Sequence, residues 1–134
     1  MRVKLDEGAY LPERAHETDA GLDLRSRESK LVPAHGSALF DTGVHVELPS
    51  GTCGLLVSKS GLNTKWNLTS TGLIDESYVG SIVVNLQNHS DMDYFVYKGD
   101  KISQLVIMPC LYEKCEQAEE INGTRKNGFG STGR

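Results

Sequence analysis

The feature that most limits what this chain can fold into is its punctuation. Short β-rich runs alternate with breakers along almost the whole length. The runs are Arg2–Leu5, Leu22–Ser26, Ser29–Val32, Ala38–Thr42, Val44–Leu48, Thr52–Val57, Ser81–Gln87, Tyr94–Tyr97 and Lys101–Met108. Between them fall Pro33 with Gly36, Gly43, Pro49-Ser50-Gly51, Gly80, His89-Ser90-Asp91 and Lys98-Gly99-Asp100. No stretch of a dozen residues sustains helical periodicity. Many short strands at this spacing predict an all-β sandwich or barrel rather than βαβ units. One short helix is expected to open at Ser60-Gly61-Leu62-Asn63, with Ser60 as its N-cap.

A chain of 134 residues suits one domain. A net charge of -4 argues against a generic attraction to nucleic acid. No apolar run approaches the roughly 20 residues that span a bilayer, and Met1 to Pro12 lacks the apolar core of a signal peptide. The three cysteines, Cys53, Cys110 and Cys115, show neither a short-spaced pair nor a partnering His cluster. They are expected to be free thiols in a reducing, intracellular setting, with no membrane partner. His16, His35, His45 and His89 share no ligand spacing and are expected to be structural or exposed. Phe40 and Trp66 are expected to be packing residues, and Tyr94, Phe95 and Tyr97 to serve a core or an interface.

Several segments carry chemistry. Gly72-Leu73-Ile74-Asp75-Glu76-Ser77-Tyr78-Val79-Gly80 reads as strand, acidic turn and strand. A carboxylate beside an aromatic ring in a tight hairpin can hold a water and a flat ligand together, although an acid in a turn is also ordinary hairpin grammar. Lys59-Ser60-Gly61 ends a strand and opens the helix, where unpaired N–H groups favour phosphate. Asp23 lies between Leu22 and Leu24; if the leucines face the core, Asp23 faces outward. There it is either an exposed strand carboxylate or a partner for a hydrated Mg²⁺. Gln104 is expected on the same strand face as apolar Ile102 and Val106, so its amide needs a backbone or ligand partner. From Asn122 to Arg134 the chain has no acid, and it gathers Arg125, Lys126, glycines and hydroxyls around Phe129. Such a tail is either a frayed end or an arm suited to an anion attached to a flat base.

Taken in order, these segments resemble the five motifs of the trimeric all-β dUTPases. The first is Ala20-Gly21-Leu22-Asp23-Leu24 and the second Lys59-Ser60-Gly61-Leu62. The third is Gly72 to Gly80, followed by Ile82-Val83-Val84-Asn85-Leu86 and Asn88. The fourth is Gly99-Asp100-Lys101-Ile102 with Gln104-Leu105, and the fifth Gly128-Phe129-Gly130-Ser131-Thr132-Gly133. The resemblance covers the chain from about residue 19 to its end.

The resemblance implies a β jelly-roll domain over residues 1–121 and a mobile arm over 122–134. It implies a homotrimer whose sites draw on all three subunits. One would supply motifs one, two and four, another the hairpin, and the third its arm. The implied reaction hydrolyses dUTP to dUMP and pyrophosphate, which keeps uracil out of DNA and supplies dUMP for thymidylate synthesis. Asp75 would activate the water that attacks the α-phosphorus. Tyr78 would exclude a 2′-hydroxyl, and Gly72 and Ile74 would belong to the hairpin that binds uracil. Lys59, Ser60, Gly61 and Gln104 would bind phosphate, and Asp23 would touch the waters of Mg²⁺. Phe129 would stack on the base while Gly130, Ser131 and Thr132 close the lid. Three positions depart from the family pattern. Lys59 stands for the usual Arg and loses its bidentate fork. Thr69 stands where an Asn often helps bind uracil. Arg125 lies one residue after the expected Arg. A dCTP deaminase and a non-catalytic nucleotide sensor are the competing functions.

Overall fold

The computed structural model describes residues 1–133. The expected strands form, most with ends shifted by a residue or two. They are β1 (Arg2–Leu5), β2 (Gly21–Arg25), β3 (Lys30–Val32), β4 (Ser37–Asp41), β5 (Val44–Glu47) and β6 (Thr52–Val57). Helix α1 (Ser60–Trp66) follows, then β7 (Leu68–Thr69), β8 (Thr71–Ile74), β9 (Val83–Asn88), β10 (Tyr94–Val96) and β11 (Lys101–Pro109). Two larger sheets run in the orders β2-β11-β6-β8 and β4-β9-β7, and β1-β5 and β10-β3 form two-stranded ribbons. All the pairings are antiparallel. Alternation along the strands sends Leu24, Phe40, Leu68, Val84, Leu86 and Leu105 into one shared core.

Local details depart from the sequence expectations. The N-cap is Lys59, in an extended conformation (φ -69°, ψ 126°) and without a side-chain cap bond, so Ser60 is the first helical residue. The preceding Ser58 hydroxyl is already committed to Ser70, accepting from its N–H at 3.0 Å and donating to its carbonyl at 3.2 Å. The extended chain therefore continues one residue further than the turn signal suggests. Strict alternation also fails in β11. A bulge between Lys101 and Ser103 breaks the register with β2. It lets Ile102, Ser103 and Leu105 all be buried while Gln104 lies on the other side. Trp66 is not a core residue. It is 50% exposed and rests against Tyr94, with ring centroids 5.5 Å apart. No described helix is long and apolar enough to cross a membrane.

Candidate active site

The first cleft is built on β2 and β11. Antiparallel pairing sets Gln104 opposite Asp23. Leu22 and Leu24 enter the core, so Asp23 points to the other face as expected, yet it is only 5% exposed. The Glu13 bridge covers it, accepting the Asp23 N–H at 2.8 Å. Its carboxylate lies between two ammoniums, that of Lys59 and that of Lys101, the latter at 2.7 Å. Burial pushes the Asp23 carboxyl up, but the hydrogen bonds and charges of Lys101 and Lys59 outweigh it and hold the group below its ordinary value. Gln104 donates to the Ser58 carbonyl at 3.0 Å. Its side chain crosses so close to Gly21 that a Cβ there would meet Gln104 Oε1 at 2.6 Å. Asp19, Gly21, Asp23, Lys59, Lys101 and Gln104 line a cleft of about 380 Å³. The lining sets two ammoniums, Lys59 and Lys101, against two carboxylates, Asp19 and Asp23, so any hold on an anion rests on the lysines as local donors rather than on net charge. Ser60 and Gly61 follow Lys59 and are exposed. The first-turn N–H groups there have no carbonyl one turn back.

The second region is the Asp75 hairpin, which is zipped only at its base. Leu68 pairs with Asn88 and Thr69 with Gln87. The chain then changes sheets, and Thr71 to Ile74 pair with β6 instead. The ladder is not continued between Thr71–Ile74 and Val83–Leu86, and β8 is the edge of its sheet. The expected simple hairpin is therefore splayed, because the apolar Ile74 side chain follows β8 toward the core. Gly72 is half-buried in the splayed arm, and Asp75 follows Ile74 into solvent with no side-chain hydrogen bond among the described residues. The Tyr78 N–H donates to the Asp75 carbonyl at 3.0 Å and closes the turn. Tyr78 Oη donates to the Ser81 carbonyl at 2.9 Å. A Cβ on Gly80 would come within 2.5 Å of that hydroxyl, so the ring can lie there only over a glycine.

Asp75 lines a cleft of about 750 Å³ with Leu73, Glu76, Cys53, Cys110 and Tyr112. Tyr112 donates to Glu76, and that bond pushes its hydroxyl up to about 12. Burial, helped by Cys110 and Asp75, pushes the Cys53 thiol up. The two clefts share no lining residue. Beyond Leu111 the described residues are exposed. Within the tail, Arg125 donates to the Asn127 carbonyl at 3.1 Å and to the Ser131 hydroxyl at 3.2 Å. Phe129 is fully exposed, Gly130 has φ +81°, and Thr132 lies in the same turn. Arg134, part of the expected arm, lies outside the described residues. Asp23, Lys59 and Gln104 are thus brought together, with Ser60 and Gly61 adjoining. Gly72, Ile74, Asp75 and Tyr78 follow one another along the hairpin, with Thr69 at its base on the other sheet, and Arg125, Phe129, Gly130, Ser131 and Thr132 lie together in the tail.

Lys101, as the second partner of Asp23, escaped sequence reasoning because the bulge hides its register. His89 looked like a turn residue, yet its Nε2 lies 2.7 Å from the Thr69 hydroxyl. Asn85 Oδ1 is buried with no partner among the described residues. No group of three or more His, Cys, Asp or Glu among the described residues could hold a metal ion. Both Asp23 oxygens already meet ammoniums. Its carboxylate therefore fits the water shell of a hydrated cation better than direct coordination.

The dUTPase family model matches residues 7–133. The chain is 46% identical to a deoxyuridine 5'-triphosphate nucleotidohydrolase of Clostridium acetobutylicum, covering 97% of this chain and 93% of that one. It is 40% identical to the enzyme of the same name from Solanum lycopersicum, covering 97% and 79%. Among solved structures, the Staphylococcus bacteriophage 80alpha dUTPase with dUpNHpp superimposes with a TM-score of 0.90 at 33% identity, covering 98% of this chain and 97% of that one. A dUTPase from phage phi11 of S. aureus, described with a structural Mg(II) ion, gives 0.82 at 34% identity, covering 89% and 96%.

Proposed function

The chain belongs to the dUTPase family, and on that premise we propose that it hydrolyses dUTP to dUMP and pyrophosphate. The observation that carries this is the splayed hairpin: a β8 edge unpaired among the described residues runs directly into an exposed Asp75 that has no side-chain partner among them. Unpaired backbone groups on that edge offer donors and acceptors to the edge of a flat base. Tyr78, laid over Gly80, supplies the wall against the sugar and leaves no room for a 2′-hydroxyl.

Asp75 orients a water and takes its proton as the water attacks the α-phosphorus. The bond to the bridging oxygen breaks, and pyrophosphate leaves. Lys59, Ser60, Gly61 and Gln104 hold the phosphate chain, and the Asp23 carboxylate keeps Lys59 aimed into the cleft. Asp23 is the residue that would face the waters of a bound Mg²⁺, which would supply charge neutralisation at the triphosphate. The separation of the two clefts supports a homotrimer in which one subunit's phosphate cleft meets another's hairpin. The third subunit's residues 122–133 form a mobile arm. Phe129 stacks on the base, and Gly130, Ser131, Thr132 and Arg125 close over the phosphates. Thr69 reads part of the uracil edge.

The test is pyrophosphate release from each deoxynucleotide with Mg²⁺. Turnover of dUTP, with little from dCTP, dTTP or UTP, is expected. Ammonia release from dCTP, or tight dUTP binding without turnover, would replace the proposal with a deaminase or a sensor.

A further inference from the structure

Thr69 is the last residue of the zipped base, and the strands part immediately after it. Its side chain shares a sheet face with Gln87, its register partner, and with His89 two residues on. His89 Nε2 lies 2.7 Å from Thr69 Oγ1. The His89 backbone is anchored separately. Its N–H donates to the Asn67 carbonyl at 3.0 Å, and its own carbonyl accepts from Asn67 Nδ2 at 3.3 Å. Asn67 itself is held at φ 55° as the helix C-cap. The imidazole is thus carried on a fixed stretch of main chain.

We propose that His89 is a positioning residue for base recognition, acting through the Thr69 hydroxyl at the mouth of the splayed hairpin. This rests on the proposed dUTP hydrolysis and on Thr69 meeting the uracil edge. A free hydroxyl rotates and presents donor and acceptor in many directions. Bonded to the imidazole, it keeps one direction, and its remaining hydrogen-bonding capacity is aimed at the base. The pair does with two residues what one amide side chain does alone.

Thr69→Val and His89→Ala are each expected to raise the dUTP KM about fivefold, the scale of one neutral hydrogen bond, with kcat changed less than twofold. The double variant should be no worse than either single one. In a Thr69→Asn background, His89→Ala should leave KM unmoved, because the amide no longer needs the imidazole. Thermal melting of each variant, and dUMP affinity by calorimetry, separate lost recognition from lost folding. Additive KM effects, a loss in kcat alone, or a His89→Ala penalty that persists in the Thr69→Asn background would overturn the pairing. Absence of dUTP turnover in the unmodified protein would instead overturn the hydrolysis on which the pairing rests.

Discussion

Two acidic groups of this molecule, Asp23 and Asp75, sit in opposite surroundings. Asp23 is almost wholly buried and saturated, with a lysine on each oxygen and its main chain tied to Glu13. Asp75 is exposed, has no side-chain bond among the described residues, and stands where a ladder has come apart. A carboxylate held between two ammoniums is a poor base, because the neighbouring positive charges favour its ionised form. It is a good scaffold for a polyanion site. A bare carboxylate contributes little to stability and is free to take a proton. One group organises charge while the other is left without a side-chain partner among the described residues, and a single chain holds them in separate clefts.

Removing the bare group should have the largest effect on activity. Asp75→Asn is expected to lower kcat by roughly a thousandfold while moving the unfolding free energy by less than about 0.5 kcal/mol, as for a surface substitution. Pyrophosphate release and a urea melt of the same sample check both halves. If activity survives, Asp75 is not the base.

Deleting residues 122–134 should come next. A loss on the order of a hundredfold in kcat/KM is expected from poorer positioning, without a change in melting temperature, since the described tail residues bond only to one another. A large drop in melting temperature would mean the tail belongs to the body instead.

Lys101→Met tests the saturated group. It leaves one Asp23 oxygen without its cation and should cost about 1–3 kcal/mol, less than a fully buried pair because the ammonium is partly exposed. Urea denaturation measures the cost. An unchanged midpoint would show that Lys59 alone suffices.

The acid limb of stability should be smaller again. Asp23 titrates below its unfolded value of 3.8 in the folded chain. Its contribution is therefore complete above that value and is lost as pH falls through the lower folded one. Melting temperature followed from pH 6 to pH 2 should show this extra slope, and Asp23→Asn should remove it. The smallest effect is expected from Tyr78→Phe, which deletes the bond to the Ser81 carbonyl at about 1 kcal/mol or less and leaves the ring over Gly80. Melting temperature and the dUTP KM together check it.

Much of the strand order was legible because breakers and β-rich runs are local signals, and local sterics decide both. The burial of Leu22 and Leu24 followed from the same alternation, and Phe40 is buried as the packing residue it reads as. Legibility failed where distant segments compete for one stretch of chain. Gly72 to Ile74 read as the first strand of a simple hairpin, but they pair with β6, and β9 pairs only with Leu68 and Thr69 before them. Ser60 reads as a cap, but the Ser58–Ser70 bonds extend the preceding chain. Lys101 and His89 carried no local signal, since their partners are remote in sequence.

By itself, then, the chain's order of short runs, breakers and motif-bearing turns determined an all-β protein of the dUTPase family, because each of those signals acts over a few residues. Only the tertiary structure decided that Asp23 would be buried between two lysines, that the Asp75 hairpin would open after Thr69, and that a histidine would hold that threonine. Those outcomes depend on which remote strands win the available backbone hydrogen bonds, and no local pattern encodes that competition.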